Sequence, residues 1–152
     1  GQYGAGPPRL VLTCGIDLPA ATKLHKAYNK LNWAWKQVCT EQKYKTVNGQ
    51  MWLQNPINKF WYSLRGLKDI GSTLVQGSAS YVFDMWVKLI LEKRRQLTSQ
   101  FHDEIVLEIK EGFEDKAKEL VTSSINKLNE ILGLNRELGI SVQFGKRYSE
   151  IH

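Results

Sequence analysis

Gln100-Phe101-His102-Asp103-Glu104-Ile105-Val106-Leu107-Glu108-Ile109 is the stretch on which the reading of this chain turns. An acidic pair, Asp103-Glu104, interrupts an otherwise apolar, strand-like run. From Glu104 onward the pattern alternates, with Ile105, Leu107 and Ile109 on one face and Glu104, Val106 and Glu108 on the other. Leu97-Thr98-Ser99-Gln100-Phe101 can form a matching strand, which puts His102-Asp103-Glu104 at the tip of a β-hairpin. A carboxylate held at such a tip suits a hard divalent cation. Mg²⁺ prefers oxygen ligands and keeps water and substrate phosphates for its remaining positions.

Downstream of the hairpin, Phe113, Ala117, Leu120, Val121, Ile125, Leu128 and Leu132 recur at helical spacing. They predict an amphipathic helix over 113–133, with Gly133 placed to cap it. Ile140-Ser141-Val142-Gln143-Phe144 reads as a last strand. Upstream, a helix is expected from about Leu67 to Arg95, and its middle, Ala79 to Leu91, is apolar on nearly every side, as in an interior helix. Gly71, Ser72, Gly77, Ser78, Ala79 and Ser80 line its first half and would let another backbone approach.

Further upstream, Asn48-Gly49 between apolar runs predicts a hairpin over Tyr44 to Leu53, ended by Asn55-Pro56. Residues 57–66 read as irregular, with Phe60, Trp61 and Tyr62 as a local packing cluster. Pro7-Pro8 opens a short apolar turn, Leu10-Val11-Leu12. Asp17 with Pro19 starts a helix to about Gln42, whose apolar stripe is Ala20, Leu24, Ala27, Tyr28, Leu31, Trp35 and Val38. Lys23, Lys26, Lys30 and Lys36 form its solvated face. Hairpin, helix and final strand together predict an α+β fold, a small antiparallel sheet backed by helices.

The chain has 152 residues, 42% hydrophobic and 24% charged, which is ordinary for a folded globular chain and excludes a disordered one. No apolar run approaches the roughly 18 residues of a transmembrane helix; Tyr81-Val82-Phe83, for example, stops at Asp84. No membrane association is expected. The start, Gly1-Gln2-Tyr3-Gly4, lacks the basic and apolar regions of a signal peptide. Two cysteines, Cys14 and Cys39, without a CxxC pair read as buried, reduced thiols. Lys and Arg number 21 against 15 Asp and Glu, a net charge of +6 that fits a polyanion such as nucleic acid.

Four stretches, in order, resemble the family A DNA polymerases of bacteria and phages. Tyr3-Gly4 with Gly6 is similar to the end of motif B in the fingers. Gln76-Gly77-Ser78-Ala79 resembles the Gln-Gly-Thr-Ala signature of the helix that tracks the primer–template minor groove. His102-Asp103-Glu104 resembles motif C. Gly145-Lys146-Arg147-Tyr148-Ser149-Glu150-Ile151-His152 is similar to the family's C-terminal Gly-x-x-aromatic-x-x-x-His.

The resemblance implies that residues 1–43 end a fingers subdomain and that 44–152 are the C-terminal part of a palm. It implies that Asp103 ligates catalytic Mg²⁺, with Glu104 as the neighbouring catalytic carboxylate. His102, Gln76 and Lys68 would contact primer–template DNA, and Tyr3 would stack at the nucleotide pocket. Lys68 stands where the family usually carries arginine, Ser72 where many members carry asparagine, and Tyr148 where tryptophan is more frequent. The aspartate of motif A has no counterpart here, so a separate N-terminal chain or half would have to supply it, and this chain alone would be inactive. The implied reaction is template-directed transfer of deoxynucleotides from their triphosphates in the cytoplasm of a bacterial or phage-infected cell. The alternative expectation is a non-catalytic DNA-binding or assembly subunit with a palm-like fold.

Overall fold

The structure, a computed structural model, describes residues 5–94 and 97–151. Its elements are helical and antiparallel, an α+β architecture, and packing divides the chain into two compact units, the first ending at Ala79 and the second beginning at Ser80. That division falls inside a helix, whereas the subdomain boundary implied by the resemblance lies between 43 and 44.

In the first unit Pro7-Pro8 starts a helix, α1 (Pro7–Cys14), rather than a turn. Proline at the first helical position sacrifices an N–H that would lack a partner anyway. Asp17 caps α2 (Leu18–Leu31), its Oδ1 accepting the Ala20 N–H at 2.7 Å. The helix expected to run on to Gln42 breaks at Asn32, and α3 (Trp33–Thr40) follows. Asn32 uses both its backbone N–H and its Nδ2 on the Tyr28 carbonyl, closing α2 where the longer helix would have continued. The expected apolar stripe of this region is covered only in part. Trp35 packs on the sheet core and Tyr28 is half-buried, but Ala20, Leu24, Ala27, Leu31 and Val38 are exposed, and the buried residue of α2 is Ala21, which lies off that stripe. The lysine face is solvated as expected.

Strands β1 (Tyr44–Val47) and β2 (Gln50–Gln54) form the expected hairpin. Asn48 at φ 50° and Gly49 at φ 78° give the two positive angles that a type I′ turn needs. A third strand, β3 (Trp61–Leu64), lies where irregular structure was expected and pairs antiparallel with β2. Asn55 makes it possible. Fully buried, it accepts the Ile57 N–H at 2.8 Å on Oδ1 and donates through Nδ2 to Ser78 Oγ at 2.9 Å, fixing the reversal that brings Trp61 back beside Gln54. The inner face of this sheet, Leu53, Leu64 and Met51, packs with Ile70, Leu74, Trp35 and Cys39. Each fully buried leucine contributes about 1.5–3 kcal/mol.

Helix α4 (Ile70–Lys93) supplies residues to both units. Its small residues admit side chains, not the backbone that was expected. A Cβ on Gly77 would come within 2.9 Å of the Tyr62 ring, and one on Gly71 within 2.9 Å of Trp35. Its apolar middle is only partly interior: Trp86, Val87, Leu89 and Ile90 are buried, but Ala79 and Ser80 are exposed.

In the second unit that buried quartet packs on Val121, Ile125 and Leu128 of α5 (Glu114–Leu132), whose C-cap is Gly133 in the left-handed conformation. Strands β4 (Ser99–Phe101) and β5 (Glu104–Val106) form a hairpin whose Ile105 and Leu107 pack on the same core, as their alternation required. Residues 140–144 are not a strand. Leu138, Ile140 and Val142 do pack on the core, but they have no ladder partner among the described residues; Asn129 instead clasps the segment, exchanging 2.9 Å hydrogen bonds with the Leu138 N–H and C=O. The sheet expected to join hairpin and last strand is therefore only the β4–β5 hairpin, and among the described residues the three strands β1 to β3 form a separate sheet. Among the described residues no helix is long and apolar enough to cross a membrane. Cys14 is exposed and Cys39 half-buried, so the expectation of two buried thiols fails for Cys14. Burial raises the Cys39 thiol above its ordinary value.

Candidate functional site

The second hairpin is small and its tip is open. Phe101 pairs with Glu104, leaving His102 and Asp103 as a two-residue connection. His102 takes φ 50°, a left-handed angle that costs a non-glycine residue about 1–2 kcal/mol. Histidine tolerates it better than most residues, but glycine would serve the turn better. Both tip side chains are exposed, and the His102 ring meets the Phe101 ring edge-on, centroids 4.4 Å apart. With the expected strand pairing and turn in place, the carboxylate of Asp103 stands in solvent at the bend.

Glu104, half-buried, begins β5 and receives a hydrogen bond from the Tyr148 hydroxyl at 3.4 Å. The phenol is raised above its ordinary value, first by lost hydration of its hydroxyl, then by repulsion from the Glu104 carboxylate and by the hydrogen bond to it. Tyr148 opens a 3₁₀ turn, Tyr148–Glu150, and Glu150 folds back to accept the Lys146 N–H at 2.7 Å. The close turn needs Gly145, where a Cβ would lie 2.8 Å from that of Glu150. Two of the four stretches carrying the resemblance, the acidic triplet and the C-terminal segment, thus meet in one unit. Sequence reasoning named both and missed their contact; an aromatic hydroxyl near the chain end and an acid 44 positions earlier offer no periodicity to connect them. It also missed Asp84, which accepts from Gln100 Nε2 at 3.4 Å and ties β4 to α4.

In the first unit Gln76 is exposed on α4, while its neighbours turn inward: Gly77 lies under Tyr62, and Ser78 bonds Asn55. Lys68 is exposed in the 3₁₀ turn Leu67–Asp69 that precedes α4. Tyr3 lies outside the described residues, as do Gly4 and His152 of the quoted motifs.

Asp103 and Glu104 are hard oxygen donors of the kind Mg²⁺ takes. Among the described residues no group of three or more His, Cys, Asp or Glu is disposed to hold a metal ion. The tip therefore fits a divalent cation as part of a donor set and not as a whole one. No family model matches the chain, and neither a curated protein nor a solved structure matches it.

Proposed function

We propose that this chain is the C-terminal part of a family A-like DNA-directed DNA polymerase, in which residues 97–110 act as the motif C hairpin of a palm. The observation that carries this reading is the exposed Asp103 carboxylate at the bend between β4 and β5, with Glu104 tied to the C-terminal turn beside it.

In this reading Asp103 supplies oxygen ligands to catalytic Mg²⁺, together with a carboxylate from a second polypeptide or from the remainder of a longer one. Bound there, the metal would lower the pKa of a primer 3′-hydroxyl and neutralise charge on the departing pyrophosphate. Glu104 adds negative charge next to Asp103, and Tyr148 holds that carboxylate through its phenolic proton. His102, whose ring meets that of Phe101 edge-on, would donate to a phosphate at the primer end. Gln76 carries both a donor and an acceptor, matching the degenerate pattern of the minor groove, where a replicative enzyme reads geometry without preferring a sequence. Lys68 offers charge without the bidentate fork of arginine. Tyr3 would close the nucleotide pocket.

The uncovered apolar side chains of α1 to α3, including Leu12, Leu24, Leu31 and Trp33, support a further polypeptide surface in the working assembly. The decisive experiment mixes this chain with an N-terminal polymerase half carrying motif A and follows primer extension. Extension should require both parts, and Asp103→Asn should reduce it by about three orders of magnitude or more, the loss of several kcal/mol of transition-state stabilisation. Equal rates for Asp103→Asn and the parent would overturn the reading. Primer–template binding without any extension would favour a non-catalytic DNA-binding subunit.

A further inference from the structure

Lys43, Lys45, Trp52 and Trp61 stand together on the outer face of the three-stranded sheet and have no part in the proposed chemistry. Between Glu41 and Asp69 the chain carries Lys43, Lys45, Lys59, Arg65 and Lys68 and no acid, so this one stretch holds five of the net six positive charges. The register then sorts the side chains by face. Leu53 and Leu64 point into the core, so Lys45, Trp52 and Ser63, aligned across the sheet, point out. The adjacent row, Gln54 opposite Trp61 with Lys43 bonded beside it, points the same way. Trp52 and Trp61 are both half-buried. Lys45 Nζ sits 4.0 Å from the Trp61 ring centroid and Lys43 Nζ 5.8 Å from it. Trp61 was expected to pack locally with Phe60 and Tyr62. Instead the strand separates them: Tyr62 lies against Gly77 on the inner side, and Trp61 is left on the outer face beneath two ammonium groups.

We propose that this face binds a single-stranded polynucleotide. Charge complementarity selects a polyanion, and the two tryptophans select one with accessible bases. Stacking on an aromatic ring is open to every base in a single strand and to none inside a duplex. On binding, a base takes the Trp61 face that Lys45 now occupies, and Lys43 and Lys45 turn to the flanking phosphates. Arg65, at the sheet edge, is engaged by Asp69 at 3.2 Å and contributes less free charge than the lysines. This site lies wholly in the first unit and does not depend on the polymerase reading.

The test is fluorescence anisotropy of the full chain with labelled oligothymidylate, oligouridylate and a blunt duplex of equal length. The single strands should bind more tightly than the duplex, and a preference between the two identifies whether DNA or RNA is the better source. Trp61→Ala should weaken binding about tenfold while Trp61→Phe, which keeps a ring, retains most of it. Lys43→Gln with Lys45→Gln should lower the slope of log affinity against log salt by about 1.4. Duplex bound through the α4 face would be insensitive to Trp61, so the inference is overturned if folded Trp61→Ala keeps the parent's single-strand affinity, if polyglutamate displaces the oligonucleotide as effectively as unlabelled strand does, or if folded Trp61→Ala and Trp61→Phe chains bind alike.

Discussion

Two hairpins in this molecule are built to opposite rules. The first, β1–β2, has the turn residues its geometry asks for, a third strand beside it and one face sealed by Leu53 and Leu64. The second, β4–β5, has only three residues per strand, an entirely exposed β4 and a histidine held at positive φ where glycine would be easier. Local sequence and global fold agree in the first. In the second they conflict, and such conflicts concentrate where residues are kept for chemistry rather than for folding. The strained turn is the one that carries Asp103.

That contrast should show first in stability. Leu53→Ala, emptying a fully buried site beneath the first hairpin, should cost about 2–5 kcal/mol in urea denaturation. Phe101→Ala on the second, where the ring is 62% exposed, should stay within about 0.5 kcal/mol. Equal costs would erase the distinction between a structural and a functional hairpin. Next come the turns themselves. Gly49→Ala forces a side chain into φ 78° and should destabilise by about 1 kcal/mol. His102→Gly relieves the strain at φ 50° and should stabilise by a few tenths to about 1 kcal/mol, while lowering extension in the reconstituted enzyme. A His102→Gly chain that is both less stable and fully active would reverse the comparison.

The smallest effect concerns the link between Glu104 and Tyr148. The phenol carries its proton at neutral pH, as any tyrosine does, and donates it to Glu104; its raised value extends that protonated range upward. The stability contributed by this contact is full below the unfolded phenol's pKa of about 10 and is lost as pH rises through the higher folded value. Glu104→Gln removes the charge repulsion and should draw the Tyr148 titration part of the way back, read as ultraviolet absorbance of the phenolate. An unmoved midpoint would remove the link.

Features set by neighbours in sequence were the legible ones. Asn48-Gly49 specified its turn, Asp17 its cap, Gly133 its helix end, and the alternation of Ile105 and Leu107 their inward face. What escaped depends on partners distant in the chain. Trp61–Leu64 has no distinctive alternation and becomes a strand because buried Asn55 bends the chain back onto β2. Ile140–Phe144 has strand periodicity without a strand to pair with, and the side chain of Asn129 takes that role. The α2 stripe has the right spacing for burial, yet spacing does not say whether a covering surface is present. At the candidate site, His102, Asp103 and Glu104 were legible as a tip because pairing and turn are local. Tyr148 was not joined to them because only the folded C-terminal turn brings it there.

The central claim is that Asp103 contributes oxygen ligands to a divalent metal in an assembly completed by another carboxylate. Mn²⁺ titration followed by electron paramagnetic resonance tests it most directly, using this chain reconstituted with a motif A-bearing half, primer–template and nucleotide. The account predicts Mn²⁺ bound tightly in the parent assembly, and affinity lost on Asp103→Asn with primer–template still held. Unchanged Mn²⁺ affinity and stoichiometry in the Asp103→Asn assembly would contradict it.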